Sequence, residues 1–214
     1  MKLNAEVDTT SAAHYRVRSY PSVLVLRSDG VEIDRVVGYY RAPEFMAQVE
    51  DYLDDRNTLA SMAAAESTQG SDPAFLAKLG DRYFEHGLYQ DASTRYLRLV
   101  ALDPANKSGL VDDALMSLAR MNRKDKDYAA ARKYAQMVLD RYPTSDNMKP
   151  AFLEVGINWK RTGDLAKAYR VFFDYAIKFP EDEDAPYAKE QADTLAVKLG
   201  RTIPVPRQLS GKSL

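Results

Sequence analysis

Three times between residues 73 and 180 the chain repeats one arrangement of apolar, small and aromatic residues, and this repeat constrains the fold more than any other feature. The first copy places Leu76, Leu79, Gly80, Tyr83, Ala92, Tyr96 and Pro104 in order. The third places Phe152, Val155, Gly156, Trp159, Ala168, Phe172 and Pro180 at matching intervals. The middle copy, Leu115, Leu118, Ala119, Asn122, Ala131, Ala135 and Pro143, departs from the aromatic preference at Asn122 and Ala135, while Tyr128 and Pro143 hold its register. Small residues let the two helices of a hairpin approach closely, and aromatics fill the space between neighbouring hairpins. No such hairpin buries its apolar face alone, so the pattern predicts a stacked helical array.

These residues and their order resemble tetratricopeptide repeats. The closing prolines stand 39 and 37 residues apart, against about 34 in the family, and the surplus is assigned to the turns around 105–108 and 144–147. This longer spacing, with the Arg-Tyr-Pro and Lys-Phe-Pro endings, is similar to the repeats of bacterial envelope-assembly proteins. The resemblance implies a concave groove lined by the first helix of each hairpin: Ala74, Ala77, Asp81 and Phe84, then Asp113, Met116, Arg120 and Arg123, then Pro150, Leu153, Ile157 and Lys160. Phe84, Met116, Arg120, Arg123, Leu153, Ile157 and Lys160 are therefore the implied peptide-binding residues. Their mixture of apolar groups and cations suits a peptide or helix with an apolar stripe and acidic flanks. Arg120→Glu with Arg123→Glu is then expected to weaken binding at a nearly unchanged melting temperature. Ala77, Asp81 and Ser117 do not match the Lys and Asn clamp by which one subset of the family holds a C-terminal carboxylate, so that partner is rejected.

The first quarter reads differently. Val23 to Leu26 is apolar at every position, as in a strand covered on both faces. Ser28-Asp29-Gly30 reads as a polar turn whose Gly is free to take positive φ. The following run alternates Val31, Ile33 and Val36 with Glu32, Asp34 and Arg35, which predicts an edge strand with one wet face. Pro43 and Glu44 open a helix through Phe45, Met46, Val49, Tyr52 and Leu53, and the spacing lets it run on through 59–65. Thr68-Gln69-Gly70-Ser71 breaks the chain, and Asp72-Pro73 caps a new helix. A short helix ending at Tyr15-Arg16-Val17, then Tyr20-Pro21, the hairpin and the closing helix, is an order that resembles the distal half of a thioredoxin domain. The resemblance implies that Pro21 is cis and that the Tyr20-Pro21 loop faces an extended peptide. It also implies that the strand Val23 to Leu26 has lost a neighbour. Residues 1–53 are then expected to be loosely ordered, or to be completed by strand addition from a supplied N-terminal half or from a second copy, giving a homodimer through Val23–Leu26.

Thioredoxin chemistry needs a thiolate, and this chain has no cysteine. Basic and acidic residues nearly cancel, 30 against 31, which argues against a nucleic-acid partner. The longest apolar runs are far short of a bilayer span, so no membrane insertion is expected. Met1-Lys2-Leu3-Asn4 lacks an apolar signal segment, so the chain as written is expected in the cytoplasm. His14 and His86 stand alone in sequence, each expected at a helix surface or turn, and no metal site or cofactor is expected. Glu181 to Asp184 lack the alternation and glycine of a calcium loop and are read as acids at a helix N-terminus. No catalytic signature is present. The expected fold is mainly α: a partial thioredoxin-like α/β segment over 1–67, a linker over 68–72, three hairpins and a capping helix over 73–199, and a flexible tail over 200–214. The expected function is a non-catalytic scaffold binding a protein or peptide partner. The alternative is the distal fragment of a thiol–disulfide oxidoreductase whose Cys-x-x-Cys lies outside this chain.

Overall fold

A computed structural model describes Asn4 and residues 7–201, and the expected tail beyond 201 lies outside them. The fold is mainly helical with one small antiparallel sheet. In chain order the elements are α1 (Thr9–His14), β1 (Ser22–Leu26), β2 (Glu32–Val37), α2 (Ala42–Leu53), α3 (Leu59–Gln69), α4 (Pro73–Glu85), α5 (Tyr89–Leu102), α6 (Val111–Lys124), α7 (Tyr128–Arg141), α8 (Met148–Arg161), α9 (Leu165–Lys178) and α10 (Ala185–Lys198). They divide into two compact units, Met1–Ala114 and Leu115–Leu214, with α6 contributing to both. Among the described residues no helix is long and apolar enough to cross a membrane.

In the first unit, β1 and β2 pair with Ser22 opposite Val37, Val23 opposite Val36, Leu24 opposite Arg35 and Val25 opposite Asp34. The turn closes as its residues require. Gly30 sits at φ +83°, and the Asp29 carboxylate accepts the Val31 amide at 3.0 Å. Helix α2 lays Phe45, Val49 and Tyr52 over Val25, Ile33 and Val36. It does not run on into α3: Asp55 and Asn57 take positive φ, and the Thr58 hydroxyl accepts the Ser61 amide at 3.0 Å, restarting a helix. Met62 of α3 then packs on Phe75 and Leu79 of α4. Asp72 caps α4 and Pro73 opens it. Gly80 lets α5 come close, since a Cβ there would lie 2.7 Å from the Tyr96 ring.

Two expectations for the hairpin are corrected. Strand β1 is not covered on both faces, because Val23 and Leu26 remain 43% and 40% exposed. The polar residues at the middle of β2 are not wet, on either face. Asp34 is fully buried and Arg35 nearly so, because cations and a helix N-terminus converge on Asp34 from sequence-distant segments.

In the second unit, α8 packs against α7 and α9, and α9 against α10. Asp127 and Asp164 cap α7 and α9 through the Ala130 and Lys167 amides. Leu153, Ala168, Phe172, Tyr175, Ala188, Ala192 and Leu195 form the core. Gly156 permits contact with Phe172, 3.1 Å from where a Cβ would stand. The acidic run before α10 does more than meet a helix N-terminus. Asp182 accepts Tyr175 Oη and Lys149 Nζ, both at 2.5 Å, and the Asp184 amide at 3.1 Å. The Lys149 hydrogen bond leads these in holding its carboxyl down to about 2.

Candidate functional site

The second unit brings three of the expected binding residues onto one face. Asn158 Nδ2 donates to the Glu154 carbonyl and carboxylate at 2.7 and 2.8 Å, one turn back on α8. Arg123, in the last turn of α6, donates through Nε to Glu154 Oε1 at 2.7 Å. Lys160, in the last turn of α8, donates to Gln191 Oε1 of α10 at 2.6 Å. One side-chain hydrogen bond thus links α6 to α8 and another links α8 to α10, and both cations stand where a helix C-terminus favours positive charge. Arg120 and Lys160 are exposed, and Ile157, one turn before Lys160 on α8, is half-buried against the core. Tyr187 of α10, not singled out from sequence, is also open to solvent. Partial burial, with Asp184 nearby, pushes its hydroxyl up.

The other expected binding residues are buried, committed to an ion pair or in the first unit. Met116 is 2% exposed and Leu153 8% exposed, so neither is offered to a ligand; Leu153 belongs to the core with Phe172 and Tyr175. A helix inside an array has neighbours on two flanks, and these apolar positions fall on a flank. Phe84, in the first unit, is half-buried with its ring 5.4 Å from Tyr89. Arg123 is on the surface but committed, as the ion-pair partner of a buried carboxylate. This corrects the expectation that reversing Arg123 leaves stability unchanged. Arg123→Glu sets a second carboxylate beside Glu154. We expect a loss of about 2 kcal/mol, below the full cost of breaking a buried pair because the guanidinium is partly solvated, measured by urea denaturation.

The only tryptophan of the chain marks the α7–α9 side of this unit. Arg132 Cζ lies 3.8 Å and Lys167 Nζ 4.2 Å from the Trp159 ring centre. Arg132 is further held by the Asn158 carbonyl and the Thr162 hydroxyl, each at 3.3 Å.

In the first unit the Tyr20–Pro21 peptide bond is cis, as expected, and the Tyr20 side chain is exposed. The Pro21 carbonyl accepts the Gly38 amide at 2.9 Å, and Ser22 Oγ donates to the Ser19 carbonyl at 2.7 Å.

The most concentrated charge in that unit was not legible in the sequence. Asp34 Oδ1 accepts from Arg82 Nη2, from His86 Nε2 at 2.9 Å and from the Arg35 amide at 2.6 Å. Its Oδ2 accepts the Leu59 amide, at the start of α3, at 2.5 Å. Glu85 Oε2 takes Arg82 Nη1 at 2.6 Å, and Glu32 takes Arg35 through both oxygens at 2.6 Å. Arg35 Nη2 also reaches the Tyr15 carbonyl at 2.6 Å. His86 is therefore no isolated surface histidine; it is buried, with Nδ1 3.7 Å from Glu32. Burial alone would push the Asp34 carboxyl up, but the His86 hydrogen bond, the Arg82 charge and the Arg35 amide hold it below the usual carboxylate range. Burial likewise pushes the Tyr52 hydroxyl, under the Arg82 guanidinium, up to about 12. Both Asp34 oxygens are engaged by donors and closed to solvent, so the cluster joins β2 to α3 and α4 and presents no free base.

No protein-family model matches the chain, and no curated protein matches it.

Proposed function

We propose that this chain is a non-catalytic scaffold of tetratricopeptide type that binds an acidic segment of a protein partner on the α6–α8–α10 face. The observation that carries the reading is a pair of solvent-facing cations there: Arg120 is exposed, and Lys160 is exposed with the neutral Gln191 as its hydrogen-bond partner. Exposed charges contribute little to stability and steer and orient ligands. With Met116 and Leu153 buried, Ile157 is the one expected apolar contact left on this face, so recognition leans on charge more than on an apolar stripe.

The test is calorimetric titration with a synthetic helical peptide carrying a leucine stripe flanked by glutamates. Arg120→Glu with Lys160→Glu is expected to weaken binding about tenfold or more, at least 1.4 kcal/mol, with an unchanged melting curve. Equal affinity in the double variant would remove the face from consideration. A second reading, the distal part of a thiol–disulfide oxidoreductase, draws support from the order α1, β1, β2, α2. On that reading the sulfur chemistry belongs to residues outside this chain, which has no cysteine.

A further inference from the structure

Strand β1 has one edge on β2 and, among the described residues, no strand on the other. The ladder determines which groups line that open edge. The Gly38 amide donates to the Pro21 carbonyl, and the Arg27 amide donates to the Val31 carbonyl. A strand residue aims its N–H and C=O the same way, and successive residues alternate. Val23 and Val25 therefore spend their backbone groups on β2, with the Pro21 carbonyl and the Arg27 amide closing the ends of the ladder on Gly38 and Val31, while Ser22, Leu24 and Leu26 aim theirs outward.

No charged side chain guards this edge, and Pro21 stands before its first outward residue rather than within it. From Tyr20 to Leu26 there is no charged residue, and the one irregularity of the ladder, between Val25 and Leu26, does not cap the outer side. Apolar exposure also gathers here. Of the fourteen large apolar residues left exposed among the described ones, nine fall between Val7 and Leu53, including Tyr20, Val23, Leu26 and Tyr39. The hairpin is thus the part of the molecule with most to gain from a cover.

We propose that β1 pairs antiparallel with β1 of a second copy about a twofold axis through Leu24. Three outward residues with Leu24 in the middle are self-complementary. Leu24 faces Leu24 of the partner subunit, Ser22 faces Leu26 of the partner subunit, and the exchange closes about six backbone hydrogen bonds. An uncharged strand brings no like charges into register, so the same patch serves both copies, as an isologous interface requires. The inference stands on β1 alone and is independent of the α6–α8–α10 face.

The lack of native cysteine makes the register directly testable. A hydrogen-bonded antiparallel pair holds its Cα atoms about 5.5 Å apart, within disulfide range. Mild oxidation of Leu24→Cys is expected to give a covalent dimer at least tenfold faster than Leu26→Cys, whose thiol would face a serine. Light scattering of the unmodified chain at about 100 µM should give about 48 kDa, twice 24.1 kDa. In hydrogen exchange the Leu24 and Leu26 amides should gain protection with concentration, while those of Val23 and Val25 stay protected throughout. Leu26→Lys should return the chain to monomer with Val23 and Val25 still protected, which shows the hairpin intact. A monomer with fast exchange at Leu24 and Leu26, equal cross-linking of the two cysteine variants, or a dimer that survives Leu26→Lys would each overturn the proposal.

Discussion

Asp34→Ala is expected to destabilise the protein by about 3–5 kcal/mol, the range for removing one partner of a buried ion pair. The loss is large because one side chain serves four donors. Arg82 and His86 lose their shared acceptor, the Arg35 amide loses its own, and the Leu59 amide at the head of α3 is left without its carboxylate. A buried donor deprived of its partner costs its full desolvation. Asp34→Asn keeps the shape and loses the charge, so it should fall between wild type and Asp34→Ala. The same cluster sets an acid limit. A carboxyl held low in the folded state adds stability that is complete above the unfolded value, about 4, and is lost as pH falls through the lower folded value. Urea midpoints measured from pH 6 down to 3 should drop steeply below about 4 in wild type and less steeply in Asp34→Ala. Equal slopes in the two proteins would show that Asp34 does not carry the acid sensitivity.

Gly80→Leu is expected to cost about 3 kcal/mol, the upper part of the range for overpacking a tight core. The nearest atoms a Cβ would meet are Tyr96 Cε1 at 2.7 Å and Cδ1 at 2.9 Å. That ring cannot swing aside easily, because Tyr96 is buried and its hydroxyl donates to Asp81 at 2.6 Å. The equivalent Gly156 has slightly more room, 3.1 Å to Phe172 and Val171, so Gly156→Leu should cost about 2 kcal/mol. Thermal denaturation of the two variants checks the order. A smaller loss at Gly80 than at Gly156 would mean that the α4–α5 contact yields more readily than its geometry indicates.

Local features were readable because their causes are local. The turn at Gly30, the Asp72-Pro73 start of α4 and the two-helix form of each repeat follow from φ preferences, capping and helical periodicity. The placement of the turns at 103–110 and 142–147 follows from the spacing of the prolines. The hidden features depend on pairs far apart in sequence. Alternation along β2 marks Asp34 and Arg35 as polar, yet it cannot distinguish a face in water from one closed by Arg82 and His86, 48 and 52 residues away. The Arg123–Glu154 pair, 31 residues apart, was concealed in the same way. Their place in a repeat assigns Met116 and Leu153 to a groove, while burial is decided by what the neighbouring helices cover. The break between α2 and α3 was missed because Asp55 and Asn57 adopt positive φ without a glycine to announce it.

The most direct measurement of the binding account is a titration of isotopically labelled protein with the glutamate-flanked leucine peptide, monitored by amide chemical shifts. Saturable shifts are expected at Arg120, Ile157, Lys160 and Gln191, with little change at Arg132 and Lys167 on the α7–α9 side. Absence of saturable shifts, or shifts centred on Arg132, Trp159 and Lys167, would contradict it.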